Sequence, residues 1–435
     1  GECVVAYSDP GWHRQELMRH PVRDADRAAI FGEIMHKMAL AVKPILGYTP
    51  PNLAKPSLRD LRTLKDFGLH LNGLGEDTFK QFYKIMTMSV DDFVGEYIET
   101  DVVRAMYGLI GVIGTMLGPK SPGTAYVLLH HYMGELDGAY SAWGSQRGGT
   151  GGVSEAIASS ARSVGVETRI NSMVVRVLVK NGSAIGVVLE NGDEIYADTV
   201  VSGCDPKVTF RKLIEEKELP SELIHTIDKF KYRGSSGKVN LALDGLPNFT
   251  AMKEDWLLRG AIDVCPSVDY LERAYDDAKY DGFSRRPAME ISIPTVTDPT
   301  MAPPGKHVMS IFVQYANYDL SKHGNRDQQR EAFGNTVVDT LADYCPNIKD
   351  IMLHKQVLTP ADLEDTYSLT EGNIFHGELT LDQLFFFRPT ADWSAYRTPI
   401  RNYFQSGSGT HPGGGITAGP GRLAAQELLG ADFPF

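Results

Sequence analysis

The chain has 435 residues, a formal net charge of −12 at pH 7, 42% hydrophobic residues and 23% charged residues. This length allows two domains with a large core, and this composition is ordinary for a globular protein. The negative charge argues against nonspecific binding of nucleic acid. The four cysteines are far apart and include no C-x-x-C pair. Their spacing argues against a disulfide framework, a zinc site and a redox dithiol, and it suits a reducing compartment.

Residues 1–142 predict a mainly helical region that binds or covers a substrate. Glu2–Tyr7 has the composition of a strand, and we expect further sequence upstream of it. Residues 102–117 are apolar and interrupted by glycines, which indicates either close helix packing or a wall beside an apolar substrate. Apolar residues recur at helical spacing in three further stretches, 28–39, 78–88 and 90–98.

Residues 143–206 predict a helix followed by a β-meander. A glycine-rich run at 143–152 leads into a helix at 153–163. The pairs Asn181-Gly182 and Asn191-Gly192 are strong signals for two-residue hairpin turns. The predicted strands lie at 165–170, 173–180, 184–190, 193–197 and 199–201.

Residues 207–394 predict a mixed sheet with helices against it, which we interpret as a second part of the substrate domain. The β-prone runs 288–294 and 307–314 flank Asp298-Pro299 and Pro303–Gly305, which predict the turn of a hairpin. The other predicted elements are a strand at 238–243 and helices at 207–214, 222–230 and 328–344.

Residues 395–435 predict a strand, a glycine-rich turn and a helix. Five glycines lie among residues 407–415, between the β-prone run 402–405 and the helix-compatible run 423–429. Glycine lets the backbone approach a large group closely, and the start of a helix presents N–H groups and a partial positive charge. This pattern predicts a site for a bulky anionic ligand. The alternative is a glycine-rich turn that only packs a helix on a sheet.

Gly407–Gly415, followed by Gly421-Arg422 and Ala424-Ala425, resembles the closing motif of the phytoene-desaturase-like FAD-dependent oxidoreductases. The middle region and the runs 372–377 and 382–389 are similar to the same family, so the resemblance covers nearly the whole chain. It implies a mixed α/β fold with a glutathione-reductase-like FAD-binding domain and a mixed-sheet and helical substrate domain. The FAD-binding domain would comprise 143–206 and 395–435, and the substrate domain 1–142 and 207–394.

The family opens with a strand, a G-x-G-x-x-G turn and a helix, and this unit is missing from the sequence. We therefore expect the FAD-binding domain to be incomplete at its N-terminus and this chain to hold FAD weakly or not at all.

The resemblance implies FAD as the cofactor and assigns residues around it. Ser408, Gly409 and Thr410 would lie along the ribityl-pyrophosphate arm. Gly414, Gly415, Ile416 and Thr417 would place helix N–H groups near the pyrimidine edge of the flavin. Val174 would hold the adenine through its backbone, and Gly148 and Gly149 would pass near the flavin ring. A hydride would pass from the substrate to flavin N5.

The sequence has no local motif for metal or nucleophilic catalysis. It contains no H-E-x-x-H and no G-x-S-x-G. Flavin chemistry needs little from side chains because the cofactor carries the electrons. His411 is the one candidate base in the closing motif, and its Pro412-Gly413 context favours a role in shaping the loop.

Two functions from different classes stay open. One is an FAD-dependent dehydrogenase or desaturase that acts on an apolar, polyene-like small molecule. The other is a non-catalytic regulatory or assembly protein that retains a flavoprotein fold. We expect no nucleic-acid partner and no metal. We also expect no membrane span, because no apolar run approaches the roughly 18 residues that a span requires. Peripheral membrane contact and a homo-oligomer are left open. The compartment would be the mitochondrial matrix in a eukaryote and the cytoplasm in a bacterium.

Overall fold

The structure is a computed structural model that describes residues 3–20, 22–53, 56–136, 138–140, 142 and 144–430. Its helices are α1 (Pro10–Leu17), α2 (Val22–Leu46), α3 (Leu58–Gly73), α4 (Glu76–Thr87), α5 (Val90–Gly95), α6 (Asp101–Ile110), α7 (Thr124–Tyr132), α8 (Gly151–Ser163), α9 (Ser221–Lys229), α10 (Val268–Asp281), α11 (Arg326–Ala342), α12 (Ile348–Ile351), α13 (Pro360–Tyr367) and α14 (Gly419–Leu429). Its strands are β1 (Glu135–Leu136), β2 (Ala139–Tyr140), β3 (Val174–Lys180), β4 (Ser183–Leu189), β5 (Glu194–Tyr196), β6 (Val200–Ser202), β7 (Ser236–Leu243), β8 (Ile262–Val264), β9 (Phe283–Ser292), β10 (His307–Ala316), β11 (Met352–Leu358) and β12 (Tyr403–Gln405). Across the described ranges, none of these helices has the length and apolar character needed to cross a membrane.

The chain folds into two units, each made of three stretches of sequence. The first unit consists of Gly1–His36, Lys84–Thr168 and Gly234–Leu363, and the second of Lys37–Tyr83, Arg169–Arg233 and Glu364–Phe435. Residues 169–206 of the expected FAD-binding domain therefore share a unit with its closing segment, 395–435. Helix α8, expected in the same domain, lies in the first unit.

The first unit is built on an antiparallel sheet of five strands in the order β11-β7-β10-β9-β8. Because side chains alternate between the two faces of a strand, one face of β7 carries Val239, Leu241 and Leu243, which are buried. These residues join one apolar core with Phe333 and Val337 of α11, which covers this face. Each large buried aliphatic side chain contributes about 1.5–3 kcal/mol to stability.

The opposite face of this sheet is covered only in part. Ala288 of β9 lies in a second apolar cluster with Leu109 of α6 and with Leu271 and Ala274 of α10. Further along the same face, Lys238 and Asn240 of β7 are half-buried polar residues.

The second unit contains a β-meander and a short parallel sheet. Strands β3, β4 and β5 form the meander, and β12 pairs in parallel with β6. An apolar core joins Val177 of β3 and Tyr403 of β12 with Phe210 of a π-helix at Val208–Lys212 and Leu223 of α9. The meander and the closing strand thus share one core.

Most predicted elements are confirmed, within a few residues at their ends. The hairpin between 288–294 and 307–314 is the antiparallel pair β9–β10, and both Asn-Gly turns join strands of the meander. The predicted strands at Cys3–Tyr7 and 165–170 are wrong, because these residues have no strand partner among the described residues. The predicted helix at 207–214 is a five-residue π-helix. Glu2, the boundary residue Trp143 and residues 431–435 lie outside the described residues.

Candidate functional site

The closing segment of the second unit forms a strand, a turn and a helix beside a parallel strand pair. Tyr403, Phe404 and Gln405 of β12 lie opposite Val200, Val201 and Ser202 of β6. Both strands end at the same edge and continue into turns. In open α/β sheets, ligands bind beyond this carboxyl edge.

The two turns touch each other through a glycine. Gly407 has a φ of +82°, and a Cβ at this position would lie 2.5 Å from the carbonyl oxygen of Gly203. A side chain would therefore push the turn after β12 away from the turn after β6, so close approach of the two turns requires glycine here.

Helix α14 begins at Gly419, four residues before the helix-compatible run 423–429 but after residues 414–417, which the family resemblance assigns to a helix start. Ala418 is left-handed with a φ of 56°, Ile416 has a φ of 57°, and the Arg422 N–H donates the first helical hydrogen bond to the Ala418 oxygen. Gly414, Gly415, Ile416 and Thr417 therefore lie in the turn, and their assignment as helix N–H groups is wrong. The amide of Gly421 belongs to the first helical turn, where N–H groups have no partner within the helix.

Part of the glycine-rich turn is explained by packing within the protein. A Cβ at Gly409 would lie 2.5 Å from Pro206, and a Cβ at Gly414 would lie 2.5 Å from the ring of Phe375. The Thr410 side chain is fully buried, and its hydroxyl donates to the Gly407 oxygen at 2.9 Å. These three positions are shaped by their protein neighbours.

The next part of the turn is open to solvent. Gly415, Ile416, Thr417 and Ala418 are exposed, and the Ile416 side chain is 83% accessible. A Cβ at Gly421 would have only the Ser406 hydroxyl near it, at 4.0 Å. The main chain at 415–418 and at Gly421 is therefore the part of the closing segment that a ligand can reach.

A buried arginine holds the turn in place. Arg388 is fully buried, and its guanidinium donates to five backbone carbonyl oxygens. One acceptor is Ser408 in the closing turn, at 2.9 Å, and another is Phe375, at 2.6 Å. Because the Phe375 ring contacts Gly414, Arg388 fixes both sides of that contact. The other acceptors are Gly377, Glu378 and Gln383, at 3.1–3.3 Å.

His411 is placed as a structural residue of this turn. Its Nε2 lies 3.3 Å from the oxygen of Ile45, and its own carbonyl accepts the Tyr396 hydroxyl at 2.8 Å. Burial, with a smaller effect of the Arg388 charge, lowers the pKa of His411 to about 4. The imidazole is therefore neutral at pH 7 and shielded from solvent, which supports a role in shaping the loop over a role as a base.

Two buried polar atoms in the closing segment lack a hydrogen-bond partner among the described residues. They are Oε1 of Gln405, at the end of β12, and Nδ1 of His411. Buried polar atoms are nearly always satisfied, so each calls for a hydrogen bond from an ordered water or a bound ligand. Open main chain, a helix start and two unsatisfied acceptors fit a large polar cofactor at this edge.

The remaining predicted site residues occupy different places. Val174 begins β3 and is half-buried. Ser408 is half-buried in the closing turn. Gly148 and Gly149 lie in the first unit, with φ values of 79° and 96°. The Gly148 N–H donates to the Asp298 carboxylate at 2.7 Å, so its amide is already used. The contact of all these residues with a flavin stays a prediction.

The sequence did not identify Arg388 or Asp205 as residues that organise the site. Asp205 is buried, and its carboxylate accepts the N–H groups of Val208 and Thr370, each at 2.9 Å. The signals were an aspartate in the turn that follows a predicted strand and an arginine directly after three phenylalanines. In the part of the chain that the structure describes, no three His, Cys, Asp or Glu residues come together as metal ligands would.

Comparisons with known proteins agree with this geometry. Residues 94–428 match the family described as flavin containing amine oxidoreductase. The mouse pyridine nucleotide-disulfide oxidoreductase domain-containing protein 2 is 36% identical over 97% of this chain and 75% of that protein. The lycopene-forming phytoene desaturase of Pseudescherichia vulneris is 26% identical over 78% of this chain and 64% of that protein.

A solved structure shows the same fold. An oxidoreductase from Methanosarcina mazei aligns with a TM-score of 0.53 at 16% identity, over 88% of this chain and 78% of that one. The family match covers most of the chain and includes the closing strand, turn and helix. The chain therefore belongs to the flavin containing amine oxidoreductase family and is an oxidoreductase whose cofactor is FAD.

Proposed function

We propose that the protein is a dehydrogenase or desaturase that removes a hydride from an apolar small molecule. Bound FAD would supply the electron acceptor, with N5 of its ring taking the hydride. The observation that carries this proposal is the open main chain at Gly415–Thr417, directly before a helix start in a chain of this family.

The residues of the closing segment would act by position and charge. The first turn of α14, which includes Gly421, would favour negative charge on a group bound beside it. Arg388 would keep the turn in the shape that exposes these amides. His411 is neutral and buried, so we assign it no proton transfer. The apolar character of the substrate is inferred from the resemblance to phytoene desaturases and from the apolar, glycine-interrupted run at 102–117.

Anaerobic reduction of bound flavin tests the proposal. The purified chain is loaded with FAD, and its visible absorbance is followed after addition of polyenes, saturated isoprenoids and simple amines. We expect bleaching with an apolar donor and none with the solvent alone. If FAD binds and no donor reduces it, the dehydrogenase proposal fails and a non-catalytic regulatory or assembly role is favoured.

The proposed position of the flavin beside the start of α14 is tested separately. Replacing Gly421 by glutamate would put a carboxylate at the helix start, whereas replacing it by alanine adds only a methyl group to open space. We expect FAD to bind more weakly to Gly421→Glu than to Gly421→Ala. Equal affinities would show that this helix start does not face the cofactor.

A further inference from the structure

His376 of the second unit lies at the same sheet edge as the open main chain of the closing segment. The ring of Phe375, directly before it, packs against Gly414 in the turn after β12, where an added Cβ would lie 2.5 Å from that ring. The charge of Asp205, in the turn after β6, acts on the His376 imidazole. His376 therefore lies close to both turns that follow the parallel strand pair.

The loop that carries His376 is fixed on both sides of the histidine. The Asn373 Oδ1 accepts the N–H groups of Phe375 and Gly377 at 2.9 and 3.1 Å. The Arg388 guanidinium donates to the carbonyl oxygens of the same two residues at 2.6 and 3.1 Å. The side chains of Asn373 and Arg388 are both buried. Each residue beside the histidine thus has both of its backbone polar groups bonded, and the loop holds His376 in one position.

The backbone of His376 is in a conformation that side chains rarely adopt. Its φ is +57°, in the left-handed region, and the next residue, Gly377, has a φ of +132°. Non-glycine residues with a positive φ are uncommon and carry some strain. Such residues cluster at active sites, where the surrounding structure keeps them in place. The fixed loop around His376 is a structure of this kind.

The imidazole of His376 makes no hydrogen bond with any residue that the structure describes. Its Nδ1 is buried and has no partner, although the residue keeps some accessible surface. A neutral imidazole has one N–H donor and one acceptor nitrogen, and buried polar atoms are nearly always bonded. A fixed loop that holds an unbonded imidazole at an accessible edge is expected where a side chain acts on a bound molecule.

The other titratable side chains around these turns are less suited to exchange a proton. Three carboxylates already accept hydrogen bonds: Asp205 from two backbone N–H groups, Glu371 from the Arg233 N–H, and Glu378 from the Arg233 guanidinium. Tyr232 is buried, and burial raises its pKa well above the ordinary value. Partial burial also raises the thiol pKa of Cys204, which keeps this sulfur protonated near neutral pH.

We propose that His376 is the base of the flavin reaction and takes the proton that leaves the substrate together with the hydride. This inference rests on the proposed dehydrogenase function and names a residue for it. Two C–H bonds break on neighbouring carbons. The hydride of one carbon goes to FAD, which is the oxidant, and the proton of the other goes to a ring nitrogen of His376.

The electron pair of the second C–H bond becomes the new carbon–carbon double bond. Loss of the hydride makes the C–H bonds of the neighbouring carbon acidic, so a neutral imidazole is a strong enough base. The imidazole becomes a cation in this step and then returns its proton to solvent. One substrate molecule thus loses a hydride and a proton, and the histidine ends as it began.

His376 can act as a base only while its imidazole is neutral. Burial lowers the pKa of His376 below its ordinary value near 6.5, the Asp205 charge opposes this, and the Arg388 charge adds to it. The imidazole is therefore neutral at pH 7. The rate of flavin reduction should be constant around neutral pH and should fall as the pH drops through the pKa of His376.

Anaerobic flavin reduction in the full chain with saturating FAD tests the proposal. The donor is squalene in detergent micelles or, if another donor of the panel above reduces the flavin faster, that donor. Asparagine and glycine both accept a left-handed backbone, so His376→Asn and His376→Gly remove the base with little strain. The control is His225→Asn, which changes an exposed histidine of the same unit.

We expect both His376 variants to bind FAD as the wild type does and to reduce it at least about a hundredfold more slowly. The fall in rate at low pH should disappear in both, and imidazole added to the buffer should restore part of the rate of His376→Gly. Equal rates in the wild type and His376→Asn overturn the base but leave the dehydrogenase. If no donor reduces the wild type, both are overturned.

Chemical modification examines the imidazole without any flavin reaction. Diethyl pyrocarbonate acylates imidazoles that are neutral and accessible, and peptide mass spectrometry locates the product. At pH 7 we expect His376 and the exposed His225 to react, whereas the buried His411 should not. If His376 stays unmodified while His225 reacts, its imidazole cannot reach a substrate and the proposal is overturned.

Discussion

Replacement of Arg388 by methionine tests how the closing turn is held. The guanidinium donates five hydrogen bonds to backbone carbonyls, and the side chain is fully buried. A hydrogen bond from a charged donor contributes about 1.5–3 kcal/mol, but bonds that share one side chain are not additive. Arg388→Met leaves buried carbonyl oxygens without donors at about 1–3 kcal/mol each, and because these costs are not additive we expect about 3–5 kcal/mol for the whole set. We expect a loss of this size in the local stability of the segments that Arg388 joins.

Hydrogen exchange measured by mass spectrometry reports this local stability without assuming that the two units unfold together. A loss of about 3–5 kcal/mol corresponds to exchange that is roughly a hundredfold to a few thousandfold faster. The affected amides should lie in residues 375–388 and 406–414, whereas the five-stranded sheet of the first unit should exchange at an unchanged rate. Arg388→Lys keeps the charge with fewer and differently placed donors, so its effect should be intermediate.

The control is Arg176→Met in the same unit. Arg176 is about half exposed and lies 3.8 Å from Glu215, also about half exposed. Exposed pairs of this kind contribute about 0–1 kcal/mol. If Arg388→Met accelerates exchange in 375–388 and 406–414 no more than Arg176→Met does, then the guanidinium does not hold the turn and the reasoning fails.

Three further predictions concern single positions. Gly414→Ala should destabilise the second unit by about 1–3 kcal/mol in urea unfolding, because the added methyl group meets the ring of Phe375. Gly68→Ala is the control and should not destabilise the unit, because a methyl group there has no neighbour within 4 Å. Gly421→Glu should lower the two-electron reduction potential of the flavin relative to Gly421→Ala by about 6–21 mV, the equivalent of a helix-end charge effect of about 0.3–1 kcal/mol. Equal potentials in a spectroelectrochemical titration would contradict this. Asp263 binds its proton more tightly in the folded state, so the folded state loses stability as pH rises from about 4 through 7. Asp263→Asn should therefore raise the melting temperature relative to wild type at pH 8 and leave it nearly unchanged at pH 4, and an equal change at both would contradict the raised pKa.

The sequence predicted the strands whose side chains alternate between an apolar core and a polar face, such as β7 and β10. It missed β8, because three residues are too short for a periodic pattern. It also missed β11, in which polar and apolar residues do not alternate regularly and no residue is fully buried. Helix α10 was missed because its apolar residues are interrupted by a high density of charges. Conversely, residues 165–170 have a strand-like composition, but the structure gives them no neighbour with which to pair.

The position of the closing turn was predictable, but the role of each glycine in it was not. Gly409 and Gly414 are required by Pro206 and Phe375, and Arg388 reaches the turn from 20 residues upstream of Ser408. A sequence pattern shows where side chains are absent but not which neighbour, protein or ligand, requires their absence. The alignment of Lys238, Phe312, Glu290 and Asp263 across the sheet of the first unit was equally hidden, because only the register of four strands brings these residues into line.

The parallel pair β6–β12 has a consequence for the order of folding. Its strands are about 200 residues apart in sequence, and the whole of Gly234–Leu363 lies between them. Contacts between residues far apart in sequence form slowly, because the entropy of closing a long loop is lost before the contacts contribute any stabilising free energy. The antiparallel hairpin β9–β10, in contrast, closes over a short connection. We therefore expect this carboxyl edge, where we propose that the cofactor binds, to be among the last parts of the molecule to assemble after synthesis.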